Sequence, residues 1–365
     1  MDKLFVDIGK LIETMYKILR PLLFRLDPES AHHLTLQLMR IGGLQPINAI
    51  LRVLYSVPQK PVHAFGLDFE NPVGLAAGYD KDAVAMRGLA ALGFGHIEIG
   101  TVTPRPQPGN PSPRVFRLLE DEAIINRMGF PSRGAEFVQM QFNPALRTKL
   151  LQRPNARSRR RLPTVVGINL GKNKDTPNEE AVLDYLALLQ NFAPYADYLT
   201  INVSSPNTVG LRRLQRRTAL EGLLTQLHQQ RLLEQVPLKR RLPLLVKIAP
   251  DLTDKELDDA VDVIMQTHMD GIITANTTLA RTELQSSHQN ESGGLSGAPL
   301  KVRSEAILQK AVKRVNGQIP IVSVGGIMNP ADAKRRLDMG ATLIQIYTGL
   351  IYRGPGLVNA IVRSL

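Results

Sequence analysis

The sequence predicts an α/β protein, a (β/α)8 TIM barrel with a small N-terminal helical extension. Three observations predict it. From Asn71 onward short apolar runs alternate with helical patterns, eight such runs occur, and polar side chains gather at their carboxyl ends. With 365 residues and 43% hydrophobic content the chain is long enough to bury a barrel core.

The first element is an amphipathic helix. Leu4, Ile8, Leu11, Met15, Ile18 and Leu22 step by threes and fours, Phe5, Ile12 and Leu19 widen the stripe, and Lys3, Lys10, Lys17 and Arg20 lie off it. Pro21 should kink or end this helix, because proline lacks the N–H that a helix interior uses. Asp7, Lys10 and Glu13 interrupt the apolar residues and no small-residue cleavage pattern follows, so no secretory signal is expected. No run nears the ~20 apolar residues that cross a bilayer. Met15 is a second candidate start.

A second helix opens at Asp27-Pro28-Glu29, an N-cap followed by proline in the first turn, and stops at Gly42-Gly43. Residues 1–43 thus form a helix pair ahead of a barrel at 44–365. The pair either packs on the barrel or lies in a membrane interface, its basic flanks toward an anionic surface and a lipid-like ligand between the helices.

Strands are expected at 72–77, 96–101, 164–170, 198–203, 243–249, 271–275, 319–324 and 342–347, with helices at 176–192, 254–267 and 330–339 among them. In such barrels the site lies at the carboxyl ends of the strands. Those ends read Lys81, Thr101, Asn169, Asn202, Lys247, Asn276, Gly325-Gly326 and Tyr347-Thr348. Asparagines and lysines buried there without partners would be costly, so a ligand rich in hydrogen-bonding groups is expected.

The link between the second and third strands is too long for one helix. Residues 114–118 and 122–126 alternate as a hairpin, an insertion near 112–128 that walls the top of the barrel. The last two units have the look of a phosphate site: Val324-Gly325-Gly326-Ile327 and Tyr347-Thr348-Gly349 bring backbone N–H groups toward an anion, and Gly293-Gly-Leu-Ser-Gly297 closes over it. No Gly-x-Gly-x-x-Gly follows the first strand, so a flavin mononucleotide fits better than a dinucleotide.

The fourth strand runs into Asn202-Val-Ser-Ser-Pro-Asn-Thr208. In isolation Ser-Pro-Asn-Thr is turn chemistry. At a strand end of this ring, Ser205 becomes a candidate proton acceptor, and a weak base of that kind needs a substrate polarised by a redox cofactor and a relay through Thr208 or an ordered water.

The chain has no cysteine, which excludes disulfides, thiolate nucleophiles and iron–sulfur clusters held by it, and no metal site is expected. The net charge of +12 favours an acidic partner surface. Arg153, Arg157, Arg159, Arg160 and Arg161 form one basic stretch, Arg212, Arg213, Arg216 and Arg217 a second, and Lys239, Arg240 and Arg241 a third. None has interleaved aromatics for stacking bases, so all three are expected as solvated loops and nucleic acid is not an expected partner.

Together, Ala76-Ala-Gly-Tyr-Asp-Lys81, Gly100-Thr-Val-Thr-Pro-Arg-Pro-Gln-Pro-Gly-Asn110, Asn126-Arg-Met-Gly-Phe130, Asn202-Val-Ser-Ser-Pro-Asn-Thr208, Gly293-Gly-Leu-Ser-Gly297 and Val324-Gly-Gly326 resemble the dihydroorotate dehydrogenases, flavin enzymes of pyrimidine synthesis. The resemblance spans about residues 22–365 and is to the class 2, quinone-reducing branch, through the helix pair and a serine where class 1 enzymes place a catalytic cysteine.

The resemblance implies one FMN per chain, held by Ala77, Gly78, Tyr79, Asp80, Lys81, Thr101, Asn169, Asn202, Lys247, Ala275, Gly297, Gly326, Tyr347 and Thr348, with Lys247 stabilising the reduced anion. Ala275 stands where the family usually has threonine, leaving a backbone contact there. It implies that Ser205 is the catalytic base and that Lys81, Asn126, Arg127, Met128, Gly129, Phe130, Asn202, Asn207, Asn276 and Thr277 bind dihydroorotate or orotate, Lys81 at the carboxylate. His32 and Arg117 match positions around a quinone head group, ubiquinone or menaquinone. It further implies a peripheral enzyme on the cytoplasmic face of a bacterial inner membrane, without an obligatory protein partner. The competing expectations are a class 1-like enzyme with a soluble acceptor, and a basic barrel that binds nucleic acid without catalysis.

Overall fold

A computed structural model describes residues 2–142 and 164–365, with side chains from residue 14 onward. The basic stretch Arg153–Arg161 lies outside the described residues, as do the side chains of Leu4, Phe5, Ile8, Leu11 and Ile12.

Three helices come first: α1 (Asp2–Arg25), α2 (Pro28–Gly42) and α3 (Ile47–Leu54). Pro21 does not end α1, which continues past it for one more turn. That turn has outside support: Arg117 donates to the carbonyls of Leu23 and Leu26, and its guanidinium lies 4.8 Å from the centroid of the Phe24 ring. Carbonyls at a helix end otherwise lack partners. The Asp27 carboxylate caps α2 by accepting from Glu29 N and Ser30 N, as its sequence predicts. The helix α3 is not among the expected elements. It is tied down by Asn48, whose amide donates to the carbonyls of Gly42 and Arg87.

A short antiparallel hairpin follows, β1 (Val62–Ala64) and β2 (Leu67–Phe69), turning through Phe65 and Gly66 with φ of +56° and +77°. Phe65 and Phe69 pack with Tyr198, Leu245, Ile273 and Val322 and stopper the barrel at the amino ends of its strands. Gly271 makes this possible, since a Cβ there would lie 2.4 Å from the Phe65 ring.

The barrel strands are β3 (Val73–Leu75), β4 (His96–Val102), β7 (Val165–Leu170), β8 (Tyr198–Asn202), β9 (Leu244–Ile248), β10 (Gly271–Thr274), β12 (Ile321–Val324) and β13 (Leu343–Ile346), closed in the order β10-β12-β13-β3-β4-β7-β8-β9 with every pair parallel. All eight coincide with expected strands. They read as continuous apolar runs because both faces are buried, one in the barrel and one under helices.

The helices around them include α4 (Met86–Ala90), α6 (Ala181–Phe192), α7 (Arg217–Leu238), α8 (Asp254–Gln266), α9 (Lys301–Val315), α10 (Pro330–Asp338), α11 (Thr348–Arg353) and α12 (Gly356–Ser364), with α5 (Gly134–Phe142) after the insertion. The α8 start is a full capping box between Thr253 and Glu256. The insertion is a hairpin, β5 (Val115–Leu118) and β6 (Ala123–Asn126), and β11 (Gly294–Gly297) adds to it as a third strand. The glycine-rich 293–297 segment is thus a strand beside the site, more ordered than the closing loop expected of it.

In two basic stretches expected as solvated loops, Arg213, Arg216 and Lys239 are exposed as expected, while other members serve the fold. Arg240 donates to the carbonyls of Ala193 and Ala196 just past α6, and Arg241 pairs with the buried Asp270. Arg217 reaches Asp259 at 3.0 Å, and Arg212 is half-buried among the loops of the site. Unpaired carbonyls and buried carboxylates recruit these side chains, and composition alone does not reveal them.

Candidate active site

The site grows from a charge inside the barrel. Glu98, on β4, is fully buried and accepts from Asn169 Nδ2 at 2.8 Å, Gln345 Nε2 at 3.0 Å, and the hydroxyls of Tyr198 and Thr200 at 3.2 Å. Asn169, turned by that bond, accepts from Thr101 Oγ1 at 2.6 Å and from Asn202 Nδ2 at 2.9 Å. Three strand ends are thereby locked into one polar floor. Lys247 is buried beside it. Burial pulls its pKa below the ordinary amine value, while the Glu98 carboxylate pushes it back up.

Above the floor lies the serine loop. Ser205 is buried and its Oγ accepts from Asn207 N at 3.2 Å. Ser204 is used differently, as a brace: its hydroxyl donates to Asn202 Oδ1 and accepts from Asn276 Nδ2, both at 2.9 Å. Asn207 Nδ2 donates to Asn126 Oδ1, so the loop also meets the hairpin insertion. The buried Thr208 hydroxyl has no partner, and no Ser205–Thr208 hydrogen bond forms among the described residues.

On the opposite side Lys81 Nζ donates to Gly78 O at 2.7 Å, and burial lowers its pKa to about 8 against the opposing pull of Asp82 and Glu29. The Asp80 carboxylate is turned away to accept from Val84 N and Ala85 N, and burial raises its pKa to about 6. Past β12, Gly326 adopts a φ of +72°, and a Cβ on it would lie 2.4 Å from the Lys301 backbone. The fully buried Arg336 donates to Gly325 O at 2.8 Å, and Thr348 Oγ1 donates to Ser296 Oγ at 2.9 Å. The result is a tight, glycine-lined cradle of backbone beside the cavity.

One cavity of about 380 Å³ joins all of this to the helical extension. Tyr16, Leu19, Leu23 and Phe24 of α1, His32, Thr35, Leu38 and Met39 of α2, and Arg117 line its outer part. The rings of His32 and Tyr79 meet edge to face at 5.0 Å and those of Tyr79 and Tyr347 at 5.9 Å, a continuous aromatic wall from α2 to the barrel rim. Burial lowers the His32 pKa to about 3, so this wall is uncharged at neutral pH.

Most expected site residues line the cavity: Ser205, Ala77, Gly78, Tyr79, Lys81, Thr101, Asn126, Met128, Gly129, Phe130, Asn202, Asn207, Lys247, Ala275, Asn276, Thr277, Gly297, Gly326, Tyr347, Thr348, His32 and Arg117. Three do not. Asn169 and Asp80 stand behind it as supports. Arg127, just past the end of the central strand β6, does not line it; its side chain is ion-paired with Glu291 at 2.6 Å and lies over the Phe116 ring. Sequence reading missed Glu98, Gln345, Ser296, Arg212 and Tyr16. For Glu98 a signal exists, a lone acid inside the apolar run His96-Ile-Glu-Ile99.

The family model for dihydroorotate dehydrogenase matches residues 61–365. The chain belongs to the dihydroorotate dehydrogenase family. Relatives named dihydroorotate dehydrogenase (quinone) include one from Idiomarina loihiensis, 47% identical over 96% of this chain and 100% of its own, and one from Halorhodospira halophila, 49% identical over 96% of this chain and 97% of its own. A crystal structure of the Eimeria tenella dihydroorotate dehydrogenase, in complex with ferulenol, superposes with a TM-score of 0.81 at 41% identity, covering 93% of this chain and 90% of that one. The quinone-named relatives and the absence of cysteine speak against the class 1-like alternative. Dihydroorotate dehydrogenases are flavin enzymes, and a polar floor beside a glycine cradle is the kind of surface that a flavin and its phosphate require.

Proposed function

We propose that this dihydroorotate dehydrogenase holds one FMN, oxidises dihydroorotate to orotate for pyrimidine synthesis, and hands the electrons to a membrane quinone, ubiquinone or menaquinone. The observation that carries this reading is the single cavity that runs from Ser205 and Lys247 to an apolar mouth between α1 and α2.

The residues present fit FMN. Gly297 and Gly326 let the backbone pass where a Cβ would strike Glu122 and Lys301, and beside the buried Lys247 the buried Gln345 Oε1 has no partner among the described residues. Bound there, the flavin supplies the hydride acceptor and relays electrons onward. The chain supplies the rest. Lys81 holds the substrate carboxylate, while Asn126, Asn207, Asn276 and Thr277 orient the ring by hydrogen bonds. Ser205 takes the proton that leaves one ring carbon as the hydride leaves its neighbour, and Thr208, whose hydroxyl has no partner among the described residues, joins a water in carrying that proton off.

Among the described residues no helix is long and apolar enough to cross a membrane. Exposed apolar residues instead stand on the three helices of the extension, Met15, Ile18 and Leu22 on α1, Leu34 and Leu38 on α2, and Ile47, Ile50 and Val53 on α3, and Leu38 among them lines the cavity. A patch of that kind supports peripheral seating on an anionic membrane surface, the cytoplasmic face in a bacterium, with quinone entering past His32 and Arg117.

The test is anaerobic mixing of the yellow protein with dihydroorotate, followed by a short-chain quinone. Bleaching and then return of the flavin absorbance is the expected result. Colourless protein, or bleaching that quinone does not reverse, overturns the reading.

A further inference from the structure

Arg212 lies in the first half of the short turn Leu211–Gln215 that follows the serine loop, and its guanidinium reaches three other segments at once. Its Nε donates to Ser204 O at 3.0 Å, Nη1 to Asp251 Oδ2 at 2.8 Å and Nη2 to Thr277 O at 2.9 Å. Ser204 O belongs to the peptide whose nitrogen is that of Ser205, so holding this carbonyl fixes the plane from which Ser205 projects. Thr277 follows Asn276 on the substrate side of the cavity. Asp251 is itself held, accepting from Thr278 Oγ1 and from Leu279 N. At the other end of the same turn Gln215 Oε1 accepts from Ala249 N at 2.9 Å.

We propose that Arg212 is a positioning residue that sets the approach of Ser205 to the substrate, an inference that rests on Ser205 being the base. The serine hydroxyl is oriented by Asn207 N–H, while the serine backbone is oriented by Arg212. Arg212 does not line the cavity, so its influence passes through Ser205 and Thr277. A planar fork with donors in several directions serves three acceptors, whereas the single nitrogen of a lysine cannot. Small misplacement of a reacting group is enough to slow chemistry by orders of magnitude.

The experiment is single-turnover flavin reduction by dihydroorotate in the FMN-loaded enzyme, with Arg212→Lys and Asp251→Asn each made alone and in a Ser205→Ala background. In the Ser205 enzyme Arg212→Lys lowers the reduction rate about 10- to 100-fold, with orotate affinity changed less than about threefold and flavin content kept. In the Ser205→Ala background the same substitution has no further effect, because it acts through the missing hydroxyl. Asp251→Asn, which loosens the fork but leaves both carbonyl contacts, repeats the pattern with a smaller loss and serves if the Arg212 variant does not fold. Equal slowing in both backgrounds, or loss of orotate affinity and flavin in parallel with rate, overturns the positioning role while leaving Ser205 in place. A Ser205→Ala enzyme that reduces flavin at the unaltered rate removes the base itself.

Discussion

Asn207 Nδ2 lies 3.2 Å from Asn126 Oδ1, and this one hydrogen bond joins the serine loop to a hairpin 81 residues earlier in the chain. Both side chains are expected to face the substrate, so each orients the other before the substrate arrives. The neighbouring Ser204–Asn276 bond does the same between β8 and β10. The site is therefore held in shape by contacts among the side chains that line and brace it.

Ser205→Ala is expected to keep flavin and orotate binding and to slow flavin reduction by about 10²- to 10⁴-fold, the span of a lost general base. Anaerobic stopped-flow absorbance measures it. An unchanged rate would return the Ser-Pro-Asn-Thr segment to plain turn chemistry.

Lys81 gives a pH dependence with a definite sign. Burial lowers its pKa to about 8, and only the ammonium pairs with a carboxylate. Substrate capture should be full below about pH 8 and should fall about tenfold per pH unit above it, seen in kcat/KM. Lys81→Gln should weaken capture at neutral pH and flatten this limb; a limb that survives the substitution belongs to another group.

Gly326→Ala should strip flavin from the protein. The residue sits at φ +72°, and the added Cβ would meet the Lys301 backbone at 2.4 Å, where α9 begins and nothing flexible can yield. The ratio of visible flavin absorbance to protein reads the effect. Stoichiometric flavin in the purified variant would rule out the cradle.

Ile18→Glu with Leu22→Glu tests the exposed apolar face of α1. Both positions are exposed, at 71% and 56%, so thermal stability and flavin reduction should hold within the small range usual for surface changes. Binding to anionic vesicles should be lost and the KM for a long-chain quinone should rise at least about tenfold. Vesicle co-sedimentation that matches the parent protein would separate the patch from any membrane.

Much of this architecture is legible in the chain. Parallel strands buried on both faces announce themselves as apolar runs, and all eight barrel strands do so. Asp27 and the glycines at 42 and 43 mark α2 because capping is local chemistry. What stays hidden depends on distant partners. Pro21 reads as a stop because its support, Arg117 on the far hairpin, is invisible at the level of spacing. Arg212 and Arg240 read as solvated charge because the carbonyls that claim them come from other turns. Arg127 turns its side chain from the cavity to Glu291 and the Phe116 ring, partners that the motif Asn126-Arg-Met-Gly-Phe130 does not reveal.

The Phe65–Gly66 turn under the barrel has a practical side. With that end stoppered, all molecular traffic uses the opposite end, and a chain resting on a bilayer by α1 to α3 would present its sealed base to the water. A fluorophore or surface tether attached at the exposed Asp68 would then report on, or anchor, a working enzyme without standing in anything's way.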